Sequence, residues 1–251
     1  MKQNRWLGII ALGALLPTAP VSADTIFGLY AGVGSWSQEL SGDITSGLTA
    51  IDVEKDLLLQ DEINNVLYVA IEHPIPVLPN IRVNYTDLSI AGDSVLTRMV
   101  EFNDTVFNLS EDVTTDVDFS QLDLVLYYEL LDNVVSLDLG VAARWMDGSV
   151  MLMSTLATTE ADFAVVMPGL YVRMRADLPF SGFWMGVEVM GMGYAGNRLI
   201  DANAQLGWES KIGLGAELGW RTLDLEIEDL DDVDAAGIDV SGPYFAINYH
   251  F

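Results

Sequence analysis

The chain closes on Gly242-Pro243-Tyr244-Phe245-Ala246-Ile247-Asn248-Tyr249-His250-Phe251, with apolar and polar side chains alternating to the last residue. Chain ends normally fray and are built of polar residues that tolerate disorder. This one has the two-residue period of a β-strand, and it sets Phe245, Ile247, Tyr249 and Phe251 on one face. A terminal strand of that kind needs partners on both edges. The sequence predicts that it closes a sheet by pairing with the first strand, near Phe27 to Val33, so that no edge is left open.

The same period runs through the rest of the chain. Ten segments alternate, near 25–37, 63–73, 81–90, 117–129, 134–146, 162–177, 183–195, 200–209, 211–227 and 238–251. Each is long enough for the roughly 9 to 11 residues that a tilted strand needs to cross hydrocarbon. In one, Leu122, Leu124, Leu126 and Tyr128 alternate with Gln121, Asp123, Val125, Tyr127 and Glu129; in the next, Val135, Leu137, Leu139, Val141 and Trp145 oppose Ser136, Asp138, Gly140 and Arg144. Hydrophobic residues make up 51% of the chain and the mean hydropathy is +0.30, yet past residue 23 no 18-residue apolar run is free of charge. Hydrophobicity spread as alternation, with aromatics gathered near segment ends, is the pattern of an all-β transmembrane antiparallel up-and-down β-barrel.

The connections support the same topology, because short and long links alternate. Short ones fall at 74–80, 131–133, 178–182 and around Ser210, and long ones at 38–62, 91–116, 147–161 and 228–237. An even strand count places both termini and the short turns on the periplasmic side, with the long loops outside. One link, Gly196-Asn197-Arg198, should face outward yet is brief. If the region 183–209 holds no strand pair, the barrel has eight strands instead of ten. Within the first long link, Asp56 to Glu62 fits either a helical turn or a strand extension.

The amino terminus decides the compartment. Lys2 and Arg5 precede an apolar run from Trp6 to Leu16, then Pro17, Pro20 and Val21-Ser22-Ala23. Residues 1–23 are therefore expected to be a secretory signal peptide, leaving 24–251 as a single barrel domain without repeats or linkers. Removing that segment deepens the formal charge from -26 to -28. So acidic a surface argues against nucleic acid, which needs clustered Lys and Arg, and the hydropathy argues against disorder. With no Cys, disulfides and thiolate chemistry are absent.

Three sets of residues bear on chemistry. The two histidines, His73 and His250, fall at the periplasmic rim, away from the outer face, and no serine pairs with either by spacing. By parity, Arg82, Asp123, Asp138, Arg144, Arg173, Arg175, Glu188, Glu217 and Arg221 point into the lumen. Charges in a narrow lumen must pair or meet water, and barrels of this size have interiors that side chains can fill. The segment Glu228 to Asp234 offers five carboxylates, but the spacing matches no calcium loop, so no metal and no cofactor is expected.

Glu72 to Asn80 (EHPIPVLPN), Asp123 to Leu131 (DLVLYYELL), Ser136 to Gly140 (SLDLG) and Gly196-Asn197-Arg198 resemble stretches of a family of uncharacterised outer-membrane β-barrel proteins of Gram-negative bacteria. The resemblance runs over the chain past the signal peptide. It implies the fold and a location in the cell outer membrane, and it brings no catalytic residues. The terminal aromatic is also similar to the signal read by the barrel-insertion machinery, here Tyr244, Ile247, Tyr249 and Phe251. Expected partners are that machinery during assembly and outer-membrane lipids and lipopolysaccharide. The functional expectation is a structural or interaction protein with a largely plugged lumen. A narrow pore for small solutes or ions is the alternative, and an outer-membrane enzyme the least favoured.

Overall fold

A computed structural model describes residues 27–46, 49–75, 77–230 and 232–251. The signal-peptide segment 1–23 lies outside the described residues.

The strands in chain order are β1 (Gly28–Thr45), β2 (Ala50–Asp52), β3 (Glu62–Glu72), β4 (Asn80–Thr86), β5 (Ser89–Val95), β6 (Val100–Phe102), β7 (Thr105–Phe107), β8 (Asp112–Asp118), β9 (Gln121–Asp132), β10 (Val135–Met153), β11 (Thr158–Asp177), β12 (Phe183–Tyr194), β13 (Asn197–Glu209), β14 (Leu214–Leu230) and β15 (Val233–His250). Ten of them close a barrel of antiparallel neighbours in the cyclic order β1-β3-β4-β9-β10-β11-β12-β13-β14-β15. The closure is the one expected from the terminal decapeptide, with Val33 opposite Ile247 and Trp36 opposite Tyr244.

The region 183–209 does hold a strand pair. The brief outward link is a two-residue turn in which Ala195 (φ 51) and Gly196 (φ 95) are both left-handed, the backbone of a tight primed hairpin. Its neighbours Tyr194 and Asn197 pair directly. The barrel therefore has ten strands and not eight.

The strands differ in length, and this corrects the expected long loops. β12 has 12 residues and β13 has 13, close to one membrane crossing, whereas β10 has 19 and β11 has 20. At a rise of about 3.3 Å per residue and a tilt of about 40°, twenty residues project roughly 50 Å along the barrel axis. The hydrocarbon-facing band is only about 25 Å tall. The surplus of β1, β10, β11, β14 and β15 stands beyond the membrane, where β2, β5 and β8 join the sheet by pairing with β1, β8 and β10. Residues 38–45, 147–153 and 233–237 are thus strand. The Asp56 to Glu62 segment forms no helix: it follows a turn, and Leu59 makes a single antiparallel bridge to Gly92. β6 and β7 form a separate small hairpin whose Asn103 (φ 43) and Asp104 (φ 58) make another primed turn.

The molecule has two tiers with opposite side-chain logic. In the membrane tier the outward face is apolar and exposed, as at Leu67, Val83, Val141, Leu170, Val187, Leu218 and Ile247. In the outer tier the inward face is apolar and buried, as at Ile44, Ile90, Val117, Val150, Phe163, Leu225 and Ile238. Ile51, Val53 and Leu57, together with Phe102 and Phe107 from the small hairpin, close over that core.

Candidate functional site

Of the nine charged side chains expected in the lumen, seven are buried and Arg173 and Arg175 are half-buried, and the nine do not form one cluster. The central group is a layer of two guanidiniums and two carboxylates. Arg144, fully buried on β10, donates from Nε and Nη2 to both oxygens of Asp123 on β9, at 2.6 and 2.8 Å. The same Nη2 reaches Asp201 Oδ2 on β13 at 2.8 Å. Arg221 on β14 donates to both Asp201 oxygens, at 2.9 and 2.6 Å, and from Nη1 to the Thr86 hydroxyl at 3.0 Å. Its guanidinium lies 4.7 Å from the Trp36 ring centroid. Bidentate geometry and charge neutrality are what make burial of four ions tolerable.

The other charges sit nearer the periplasm. Arg82 bonds Asn84 (2.7 Å), lies 4.3 Å over the Tyr68 ring and approaches Glu188 at 3.6 Å. Glu188 also accepts the Tyr171 hydroxyl at 3.1 Å and stands 4.0 Å from Arg173. Glu217 accepts the Tyr244 hydroxyl at 2.5 Å. Arg175 bonds Asp177 at 2.7 Å, approaches Glu209 at 3.8 Å and lies over Trp184. Asp138 is 5% exposed, and its Oδ1 accepts no hydrogen bond.

Asp201 joins Arg144 to Arg221, and sequence parity had not singled it out. The signal was present, since Asn197, Asp201, Asn203 and Gln205 alternate with Ile200, Ala202, Ala204 and Leu206 along β13. Tyr244 was missed as a lumen residue for a different reason, being an aromatic whose hydroxyl serves as donor to a carboxylate. Of the residues grouped as an insertion signal, Ile247, Tyr249 and Phe251 follow the outward parity, with the Tyr249 and Phe251 rings edge to face at 4.3 Å. Tyr244 has the opposite parity and is buried against Glu217.

The central layer marks a chemical boundary. One inward step beyond it, Arg144 gives way to Met146, Asp201 to Leu199 and Arg221 to Leu223, all buried in the apolar core of the outer tier. On the outside at this level, Trp145, Leu122 and Tyr85 are cross-strand neighbours and Trp220 is exposed. At the other end Phe183 pairs with Trp208. Two aromatic girdles about one crossing apart bound the apolar band, as the membrane interfaces require. The chain is an outer-membrane β-barrel.

No protein-family model and no curated protein matches the chain. Among solved structures it is similar to the translocator domain of autotransporter NalP from Neisseria meningitidis, at 8% identity over 91% of this chain and 89% of that one, TM-score 0.45. It is similar also to the transport unit of the autotransporter AIDA-I from Escherichia coli, at 9% identity over 95% and 94%, TM-score 0.41. Ail, the attachment invasion locus protein of Yersinia pestis, aligns at 11% identity over 90% and 100%, TM-score 0.37. Likenesses this loose add nothing to the barrel's own geometry.

The histidines are accounted for by local packing. His73 Nε2 lies 3.2 Å from the Pro79 carbonyl and its Nδ1 accepts from the Ile75 N–H, within the turn. His250 stacks on Tyr30 at 4.0 Å and stands 3.5 Å from Glu209. Among the described residues no group of three or more His, Asp or Glu side chains is placed to hold a metal ion. Beyond the membrane, Arg98 donates to both oxygens of Asp56, with Nε to Oδ1 at 3.1 Å, and that bond holds the Asp56 carboxyl below its ordinary range. Arg98 also donates to the Ala50 carbonyl at 2.6 Å, tying β2 to the loop that follows β5.

Proposed function

We propose that the protein is a non-conducting outer-membrane anchor that presents a compact acidic β-head to the exterior, a structural or interaction protein and not an enzyme. The observation that supports this reading is a four-ion layer and a mostly apolar core stacked along one lumen. The Asp123–Arg144–Asp201–Arg221 layer fills the bore at the girdle. Directly above it lies the apolar core, with Leu199, Leu223 and Met146 buried. A hydrated ion would have to displace a neutral four-ion network and then cross a mostly apolar region with few polar partners, Gln38 and Gln121 among them, and both are costly.

Residues 1–23 act in this reading as the export signal, and the outward aromatics Tyr249 and Phe251 serve the insertion machinery. The outward carboxylates of the outer tier, such as Asp93, Asp116 and Asp118, suit a surface lying among lipopolysaccharide and its bridging divalent cations. A narrow pore is the competing reading. It draws on a lumen cavity of about 40 Å³ beside Arg82, Asn203 and Arg221, room for about three waters. The enzyme reading lacks a histidine outside the rim.

Single-channel recording on the purified, refolded protein separates the first two. The closed-lumen reading predicts no steady unitary conductance in wild type. Steady openings in wild type would overturn it.

A further inference from the structure

We infer that the periplasmic mouth of the barrel is a binding site for a small organic ammonium ion of the diamine type. A cavity of about 220 Å³ opens there, and six carboxylates line it: Glu72, Glu129, Asp132, Asp138, Asp177 and Glu209. Two guanidiniums share the cavity with those six carboxylates, and neither bonds Asp138. Arg175 bonds Asp177, while Arg173 turns up the lumen toward Glu188.

The group that points to a ligand is Asp138. It is 95% buried by its 5% exposure, it lines the cavity, and its Oδ1 receives no hydrogen bond. Its cross-strand neighbours are Arg173 on one side and Glu129 on the other. Glu129 is itself crowded against Glu72, whose Oε1 already accepts the Tyr127 hydroxyl at 2.8 Å. A buried carboxylate without donors is expensive. What this basin lacks is N–H donors and positive charge.

The geometry selects an ammonium over a metal ion. Hard cations need six to eight oxygens at about 2.3–2.6 Å, and no three acidic or histidine side chains converge in that way among the described residues. An alkylammonium carries three rotatable donors and can bridge carboxylates that stand farther apart. Tyr30, held flat by stacking on His250 at 4.0 Å, supplies an aromatic wall for the methylene stem and for the cation. One ammonium at Asp138 and Glu129 leaves the second facing Glu209, which stands 3.5 Å from the His250 ring and 3.8 Å from Arg175.

The test is titration calorimetry of putrescine into the refolded protein in micelles at fixed ionic strength. Saturable binding is expected, weakened roughly tenfold or more by Asp138→Asn and also weakened by Glu129→Gln. Asp116→Asn, on the outer tier, should leave it unchanged. Should Asp138→Asn fail the folding check of heat-dependent gel mobility, Glu129→Gln at the solvent-facing side of the cavity decides. Absence of saturable heat, unchanged affinity in the folded variants, or full displacement by sodium or magnesium chloride at equal ionic strength would overturn the site. Conductance bears on the closed lumen and not on this basin, so the two readings fail separately.

Discussion

Along β14 the outward face reads Leu214, Ala216, Leu218 and Trp220, and then Thr222, Asp224, Glu226 and Glu228. The inward face of the same strand reads Gly215, Glu217, Gly219 and Arg221, and then Leu223, Leu225 and Ile227. The backbone does not change register, yet the chemistry of its two faces is exchanged. β15 does the same in the opposite direction, with Ile238 and Val240 inward beyond the girdle and Phe245 and Ile247 outward below it. The difference between the tiers is one of solvent. Below the girdle the sheet is wetted by hydrocarbon and keeps its polar groups inside; above it, water lies outside and the apolar groups turn in. The exchange occurs where Arg144, Asp123, Asp201 and Arg221 meet. That layer holds the last charges of the lumen; beyond it the buried face is mostly apolar, with Gln38 and Gln121 among the few polar side chains.

The comparison can be broken first at the layer. Asp201→Ala removes three hydrogen bonds and leaves Arg144 and Arg221 facing each other without their shared carboxylate. A loss of about 3–5 kcal/mol is expected, read as a lower urea midpoint for unfolding of the whole barrel in lipid vesicles. The outer tier should instead fail by itself. Phe102→Ala empties a fully buried site in the cap and should cost about 3–5 kcal/mol. Lys55 and Arg98, basic residues of the cap, then become trypsin-sensitive, while the membrane strands keep their heat-dependent gel mobility. Loss of both tiers together would show that they are one cooperative unit.

The smallest effect belongs to the Arg98–Asp56 pair. Because the folded carboxyl titrates below the usual value of about 3.9, its contribution is complete above about pH 5 and disappears as the pH falls through the folded value. Arg98 is partly exposed, so the stabilisation is about 1 kcal/mol or less. Hydrogen exchange of residues 50–59 should be faster in Arg98→Gln than in wild type near neutral pH, and the difference should narrow once Asp56 is protonated, leaving only the lost bond to the Ala50 carbonyl.

How far the sequence could be read follows from the same inversion. Alternation with apolar residues outward located all ten membrane strands, because hydrocarbon demands that pattern on every one. Beyond the girdle the alternation continues with its signs exchanged, as in Asp147, Gly148, Ser149, Val150, Met151, Leu152 on β10. To a search for membrane strands this reads as an interruption, so 147–161 looked like loop. The segment near 81–90 looked like one strand, although β4 ends at Thr86 and β5 starts at Ser89 in the other tier. Parity set Asp123, Arg144 and Arg221 on one face, and all three are buried. It could not join Arg144 to Asp201, because the two stand on non-adjacent strands and 57 residues apart. Parity set Tyr244 on the face opposite Phe245, Ile247 and Tyr249, but its side chain carries no charge to mark that face as the lumen.

The absence of native cysteine allows the inversion to be mapped directly. Single cysteines at 216, 218, 220, 222, 224 and 226 on the outward face of β14, spin-labelled in vesicles, report oxygen against water-soluble relaxant accessibility. The account predicts lipid exposure through Trp220 and water exposure from Asp224 outward, with the crossover at Thr222. Water exposure at Leu218, or lipid exposure at Glu226, would contradict it.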